Sequence, residues 1–275
     1  MASELIKRRM YCNGYELVHN PNARGSQPRY VLTDLVTGDV TKPKGCTTIL
    51  GQTLSKDLMA WAVSCAVEYL TDKLPNINAV DLDDAAHEYE RRRDAGAGTG
   101  SEAHKLVEQY LKGQPLGLST ASPEASKAFH AFKKWFEGSK PEIINVEEVI
   151  YSNMYNYAGT YDCMLRIDGK VYLCDLKTTN PSRKAPTGVY PEYFIQLGAY
   201  AGAHEEQRQY EEWNGETTLV PIDGLLVISA KKDGKLDLVT NEDVGLSIEQ
   251  CANLFRQVVD LNRFLLKTTQ ILGGK

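Results

Sequence analysis

Between two β-prone runs, residues 157–167 and 170–178, stands the dipeptide Asp168-Gly169, and it constrains this chain more than any other feature. Asp-Gly so flanked is a strong hairpin signal, because a two-residue type I′ turn requires positive φ at both central positions. Such a turn pairs Ile167 with Lys170, and that register sets Asp162 directly opposite Asp175. Directly paired residues hold their Cβ atoms about 4.5–5.5 Å apart, where like charges destabilise a sheet unless something neutralises them. A divalent cation is the natural neutraliser. Lys177, two residues beyond Asp175, shares its face and is expected opposite Thr160. Two carboxylates and one ammonium therefore converge.

Hard oxygen ligands in this arrangement suit Mg²⁺ or Mn²⁺, which bridge phosphate oxygens and activate water, while a lysine orients that water or stabilises developing charge. This is the chemistry of phosphodiester hydrolysis, with Lys177 expected to serve the transition state rather than the fold. The plainer reading is a surface hairpin with a solvated aspartate. Against it stand Cys163, Leu165, Leu173, Cys174 and Leu176, which make both strands look buried on two faces, where unpaired charge is costly.

The rest of the chain supplies a scaffold. With 275 residues, 42% hydrophobic and 24% charged, it can bury a sizeable core, which excludes disorder and coiled coil as the main architecture. A net charge of −5 means that any nucleic-acid contact rests on local basic patches. Short strands are expected at 15–18 and 30–36, and a helix at 56–72, with Ser55 as its cap. Two further helices, 82–95 and 101–112, are expected on either side of the stretch AGAGTG, read as a phosphate-compatible turn, and another from Ser122-Pro123-Glu124 to Gly138. Beyond Pro141 come strands at 143–151, 157–167 and 170–178, a helix at 190–213, a strand at 219–229, a second Asp-Gly turn at Asp233-Gly234 and a last helix from Ser247. The order predicts a mixed α/β core. No apolar run approaches the ~20 residues of a membrane span, and the six scattered cysteines show no CxxC pair, so reduced thiols and a cytoplasmic location without membrane contact are expected.

Gly159-Thr160-Tyr161-Asp162, then Asp175-Leu176-Lys177-Thr178, then Gln196-Leu197-Gly198-Ala199-Tyr200 form a series that resembles the PD-(D/E)XK nuclease superfamily in its RecB-like exonuclease branch. Upstream, Gly100-Ser101-Glu102-Ala103-His104 is similar to that branch's glycine–histidine helix motif. Cys46-Thr47-Thr48-Ile49-Leu50, followed by Leu58 and Trp61, is similar to the entry segment of phage-encoded members and of mitochondrial genome maintenance exonucleases. One departure is Tyr161, where the superfamily's name has proline; the substitution is common in this branch. The resemblance implies a PD-(D/E)XK nuclease-like core, a central mixed sheet flanked by helices, behind an N-terminal β-hairpin and helical portion. The chain then reads as a single nuclease domain over 1–275, with a β-rich segment 1–53, a helical portion 54–138 and a catalytic α/β core 139–275.

Residue by residue, the resemblance implies that His104, Asp162, Asp175 and the Leu176 carbonyl hold the metal, that Lys177 acts with Asp162 and Asp175 in catalysis, and that Gln196 and Tyr200 help hold DNA. Gln196 and Tyr200 stand at i and i+4, on one helical face. The related CRISPR-adaptation nucleases carry an iron–sulfur cluster on one N-terminal and three C-terminal cysteines. Here only Cys251 falls in the last hundred residues, so no such cluster is expected. Substrate grip is expected from basic spots: Arg183 and Lys184, which leave the catalytic strand directly, and also Arg91 to Arg93, Lys231, Lys232 and Lys235. The function implied is a Mg²⁺- or Mn²⁺-dependent deoxyribonuclease, an exonuclease on DNA ends or single strands, working beside phage or host recombination or replication proteins. The alternatives are a structure-specific endonuclease on the same core and a catalytically idle DNA-binding module.

Overall fold

In the computed structural model the described residues are 5–54, 58–179, 186–216 and 219–272. Their amino-terminal part is an antiparallel meander of β1 (Ile6–Met10), β2 (Tyr15–His19), β3 (Tyr30–Asp34) and β4 (Val40–Thr41), in that spatial order. Met10, Leu17, Tyr30 and Leu32 alternate onto one face and bury it against Val149, Tyr151 and Ala158 of the main sheet.

The main sheet is mixed, as expected. It contains β5 (Lys44–Gly45), β6 (Glu142–Ser152), β7 (Tyr157–Ile167), β8 (Lys170–Thr179), β9 (Gly224–Lys231) and β10 (Leu236–Thr240). The path runs β10-β9-β8-β7-β5, with β6 on β7. β6, β7 and β8 are antiparallel neighbours, whereas β8 and β9 are parallel and need the long crossover that α5 (Pro191–Trp213) provides. Helix α5, α6 (Ile248–Leu272) and α1 (Cys46–Thr53) bury one face of the sheet around Tyr161, Leu173, Leu197 and Phe255. The other face, with Cys163, Leu165, Cys174 and Ile228, is covered by α4 (Pro123–Ser139) and the C-terminal half of α3 (Ala79–Leu111). Helix α2 (Met59–Asp72) packs on the N-terminal half of α3. No helix among the described residues is long and apolar enough to cross a membrane.

The AGAGTG stretch is helical, which overturns the expected turn: residues 95–100 lie inside α3, a single helix of 33 residues. Each glycine weakens a helix by about 1 kcal/mol relative to alanine. Packing at both ends outweighs this. Asn78 accepts from the Val80 and Asp81 amides in a capping box, the upstream half rests on α2, and Ala103, Leu106, Val107 and Leu111 are buried downstream. The expected cap Ser55 lies outside the described residues. The strand expected at 219–229 begins only at Gly224 and runs to Lys231; Ser122 and Ser247 both cap the amides that follow them.

His19 joins the meander to the main sheet. Its ring stacks on Tyr30 with centroids 4.9 Å apart, and Nδ1 lies 3.3 Å from the Thr160 hydroxyl. Burial, aided by Arg29, pushes its pKa down from 6.5 to about 4. The folded state thus favours the neutral ring. That contribution is complete above pH 6.5 and is lost as pH falls from there through 4. The melting temperature should drop across this window, by the equivalent of about 1–2 kcal/mol after allowance for solvent at the cleft rim. In His19→Phe the drop should flatten; an unchanged slope in thermal melts would assign it to other groups.

Candidate active site

The site is built where the main sheet splits. β6 occupies one edge of β7 along most of its length, so β8 and β5 share the other. The β7–β8 ladder runs from Ile167 opposite Lys170 to Cys163 opposite Cys174, as the Asp-Gly turn dictates, and stops there. β5 pairs only with Tyr157 and Ala158. Gly159 to Asp162 are left without a ladder partner on that edge. Asp162 and Asp175 are therefore not a ladder pair, contrary to expectation. Two carboxylates in register would repel, and Asp162 Oδ2 instead accepts from the Leu176 amide at 2.6 Å, taking the place of a strand carbonyl.

Side chains from three elements enter the gap. His104 Nδ1, from α3, stands 3.5 Å from Asp162 Oδ1. Asp175 is buried; Lys177 Nζ lies 2.6 Å from its Oδ2, and Gln196 Nε2 donates to its Oδ1 at 3.2 Å. Lys177 also donates to Gln196 Oε1 at 3.3 Å, and Gln196 Nε2 reaches the Tyr200 hydroxyl at 2.8 Å. Gln196 and Tyr200 thus share a face of α5, as their spacing requires. Lys177 shares the face of Asp175 but does not face Thr160. It pairs with Ser229 of β9, while Thr160 contacts Tyr30 and His19. The motif glycines have packing roles: a Cβ on Gly159 would stand 2.5 Å from the Tyr200 ring, and one on Gly198 would stand 2.3 Å from the Cys251 backbone of α6.

Electrostatics follow from burial. Desolvation raises Asp175 despite Lys177, and Asp162 adds to the rise. For Asp162 burial also works upward, but His104, Lys177 and the Leu176 amide outweigh it and hold the carboxyl low. Burial alone would lower His104 and Lys177; the facing carboxylates reverse both and favour their charged forms. Lys177 is thus the ion-pair partner of a buried carboxylate.

Two carboxylates, an imidazole and the Leu176 carbonyl are donors of the kind that suit Mg²⁺ or Mn²⁺. As the side chains stand, Asp175 is balanced by Lys177 and Asp162 by His104. No three His, Cys, Asp or Glu groups among the described residues converge on one point.

Glu147 escaped the sequence reading. It lies on β6 between Val146, opposite Cys163, and Glu148, opposite Tyr161, which places it beside Asp162, and its φ is +54°. Burial first, then Asp162 and Glu108, push its carboxyl up to about 8. The adjacent acids Glu147-Glu148 in an apolar strand were the available signal. A cleft of about 570 Å³ opens above Asp162, and Arg29 and Lys105 line it beside His104 and Glu147. Arg183 and Lys184 lie outside the described residues. The Arg91–Arg93 cluster is occupied by acids: Arg91 by Asp84 and Glu88, Arg92 by Glu68 and Glu88, Arg93 by Asp94. Lys231 and Lys235 pair with Asp237 and Asp233.

No family model matches the sequence, and no curated protein matches it. Among solved structures, the chain is similar to an alkaline exonuclease from Laribacter hongkongensis, with a TM-score of 0.32 and 10% identity over 84% of this chain and 94% of that one. A second structure of that exonuclease, in complex with dAMP, gives 0.28 with the same identity and coverage. Superpositions this loose leave the function to be argued from the chain's own geometry.

Proposed function

We propose that this chain is a Mg²⁺- or Mn²⁺-dependent deoxyribonuclease of the PD-(D/E)XK kind, an exonuclease on DNA ends or single strands in phage or bacterial recombination, repair or replication. The observation that carries the reading is the split between β7 and β8, where the Asp162–His104 pair, which lines an open cleft, stands next to the buried Asp175–Lys177 pair. His104, Asp162, Asp175 and the Leu176 carbonyl would hold the ion, which when bound supplies Lewis-acid polarisation of the phosphate and an activated water. Lys177, held protonated by Asp175, places positive charge where the attacked phosphate gains negative charge. Gln196 fixes that lysine through its carbonyl and Asp175 through its amide, with Tyr200 anchoring the amide. Arg29 and Lys105 offer charge to the backbone phosphates in the cleft.

Intact Asp162, Asp175 and Lys177 argue against an idle DNA-binding module, because a binding surface has no use for mutually costly buried charges. A time course with end-labelled linear and closed circular DNA tests the reading. Linear DNA should lose its end label while circles stay closed. Nicked circles would make the chain an endonuclease, and DNA bound but uncut with both ions would make it an idle module.

A further inference from the structure

Beside the catalytic cluster lies a pocket of about 470 Å³ that the hydrolytic reading does not use, walled by Leu50 and Gly51 of α1, by Leu54 just after it, and by Tyr193, Ile195 and Gln196 of α5. Its volume falls in the range of small-molecule sites, roughly 300–1,000 Å³. Two residues tie it to the phosphate-handling groups. Gln196 forms its wall and bonds Asp175 and Lys177, while the Tyr193 ring carries Lys177 Nζ 4.9 Å from its centroid. Thr47 borders both this pocket and the cleft above Asp162.

On the reading of the site as a nuclease, we infer that this pocket takes the unpaired nucleobase of a nucleotide flanking the scissile phosphate, so that the substrate is single-stranded DNA or a melted end. The chemistry of the walls decides between the parts of a nucleotide. The cleft is lined by charged groups of both signs, Arg29 and Lys105 beside Glu108, Glu147 and Asp162, whereas the pocket wall is largely apolar and has no cationic side chain. A neutral aromatic ring fits such a wall, with Tyr193 as a stacking surface. A base inside a duplex is stacked and paired, and must leave the helix to enter.

Two measurements on the full chain test this. The first compares single-turnover cleavage of single-stranded oligonucleotides with a normal or an abasic residue beside the scissile bond. The abasic strand should be cut about tenfold more slowly, since stacking is worth about 1–3 kcal/mol per base. The second follows binding of a strand ending in fluorescent aminopurine, which should be quenched by wild type and bound about tenfold more weakly by Gly51→Phe. A Cβ on Gly51 meets nothing within 4 Å, so that substitution fills the pocket without disturbing α1. Equal rates on both strands, or a probe that binds unquenched, overturns the pocket while leaving the nuclease reading intact. A quenched probe with no hydrolysis of any DNA overturns the nuclease and leaves the pocket; the wild-type comparisons stand even if Gly51→Phe fails to fold.

Discussion

Lys177→Ala is expected to lower DNA hydrolysis by about a thousandfold while single-strand binding changes by less than about threefold, the pattern of a group needed only in the transition state. The ammonium sits in a largely desolvated position, its side chain 20% exposed, where a fixed charge acts more strongly than in water. The same substitution strips the partner from Asp175, whose side chain is 3% exposed, and breaking a buried pair costs about 3–5 kcal/mol. Activity lost through unfolding must therefore be separated from activity lost through chemistry. A divalent ion separates them: bound to Asp162 and Asp175, it replaces the missing counter-charge and stabilises the native state by mass action. The melting temperature of Lys177→Ala should fall in chelator and recover with saturating Mg²⁺ or Mn²⁺, while turnover stays low. Turnover that recovers together with the melting temperature would reduce Lys177 to a counter-ion.

What the sequence made legible was local. Asp168 and Gly169 take φ of +48° and +82°, the backbone that a two-residue I′ turn demands, and the pairing that follows holds for five residue pairs. The register fails where tertiary forces enter. Asp162 gives up its place opposite Asp175 for the Leu176 amide, and no turn rule encodes that exchange. The glycines of α3 misled for a related reason: they are genuine weak points, but packing on α2 upstream and on the sheet downstream decides the conformation. The arginine triplet was readable in principle, because Glu88 stands three and four residues before Arg91 and Arg92, the spacing of helical ion pairs. For Glu147 only the adjacent acids were readable, since its positive φ beside Asp162 depends on the strands around it.

Asp175→Asn should abolish binding of Mg²⁺ and Mn²⁺ in calorimetry and lower hydrolysis by at least about a thousandfold, because the amide keeps the shape of the carboxylate and removes the charge that a hard cation needs. His104 then decides which ion is preferred. An imidazole among oxygen donors favours Mn²⁺ over Mg²⁺, so wild type should be more active with Mn²⁺ at limiting metal, and His104→Ala should lose more Mn²⁺-supported than Mg²⁺-supported activity. The proton competes for the same ring. Asp162 raises the His104 pKa against the effect of burial, and a protonated ring cannot ligate. Mn²⁺ affinity should therefore weaken as pH falls through the His104 pKa, and this slope should shrink in His104→Ala. Unchanged metal binding in Asp175→Asn would remove the carboxylate gap from the mechanism. An unchanged ion preference in His104→Ala would leave the imidazole as a partner of Asp162 alone, 3.5 Å away and electrostatic in its effect.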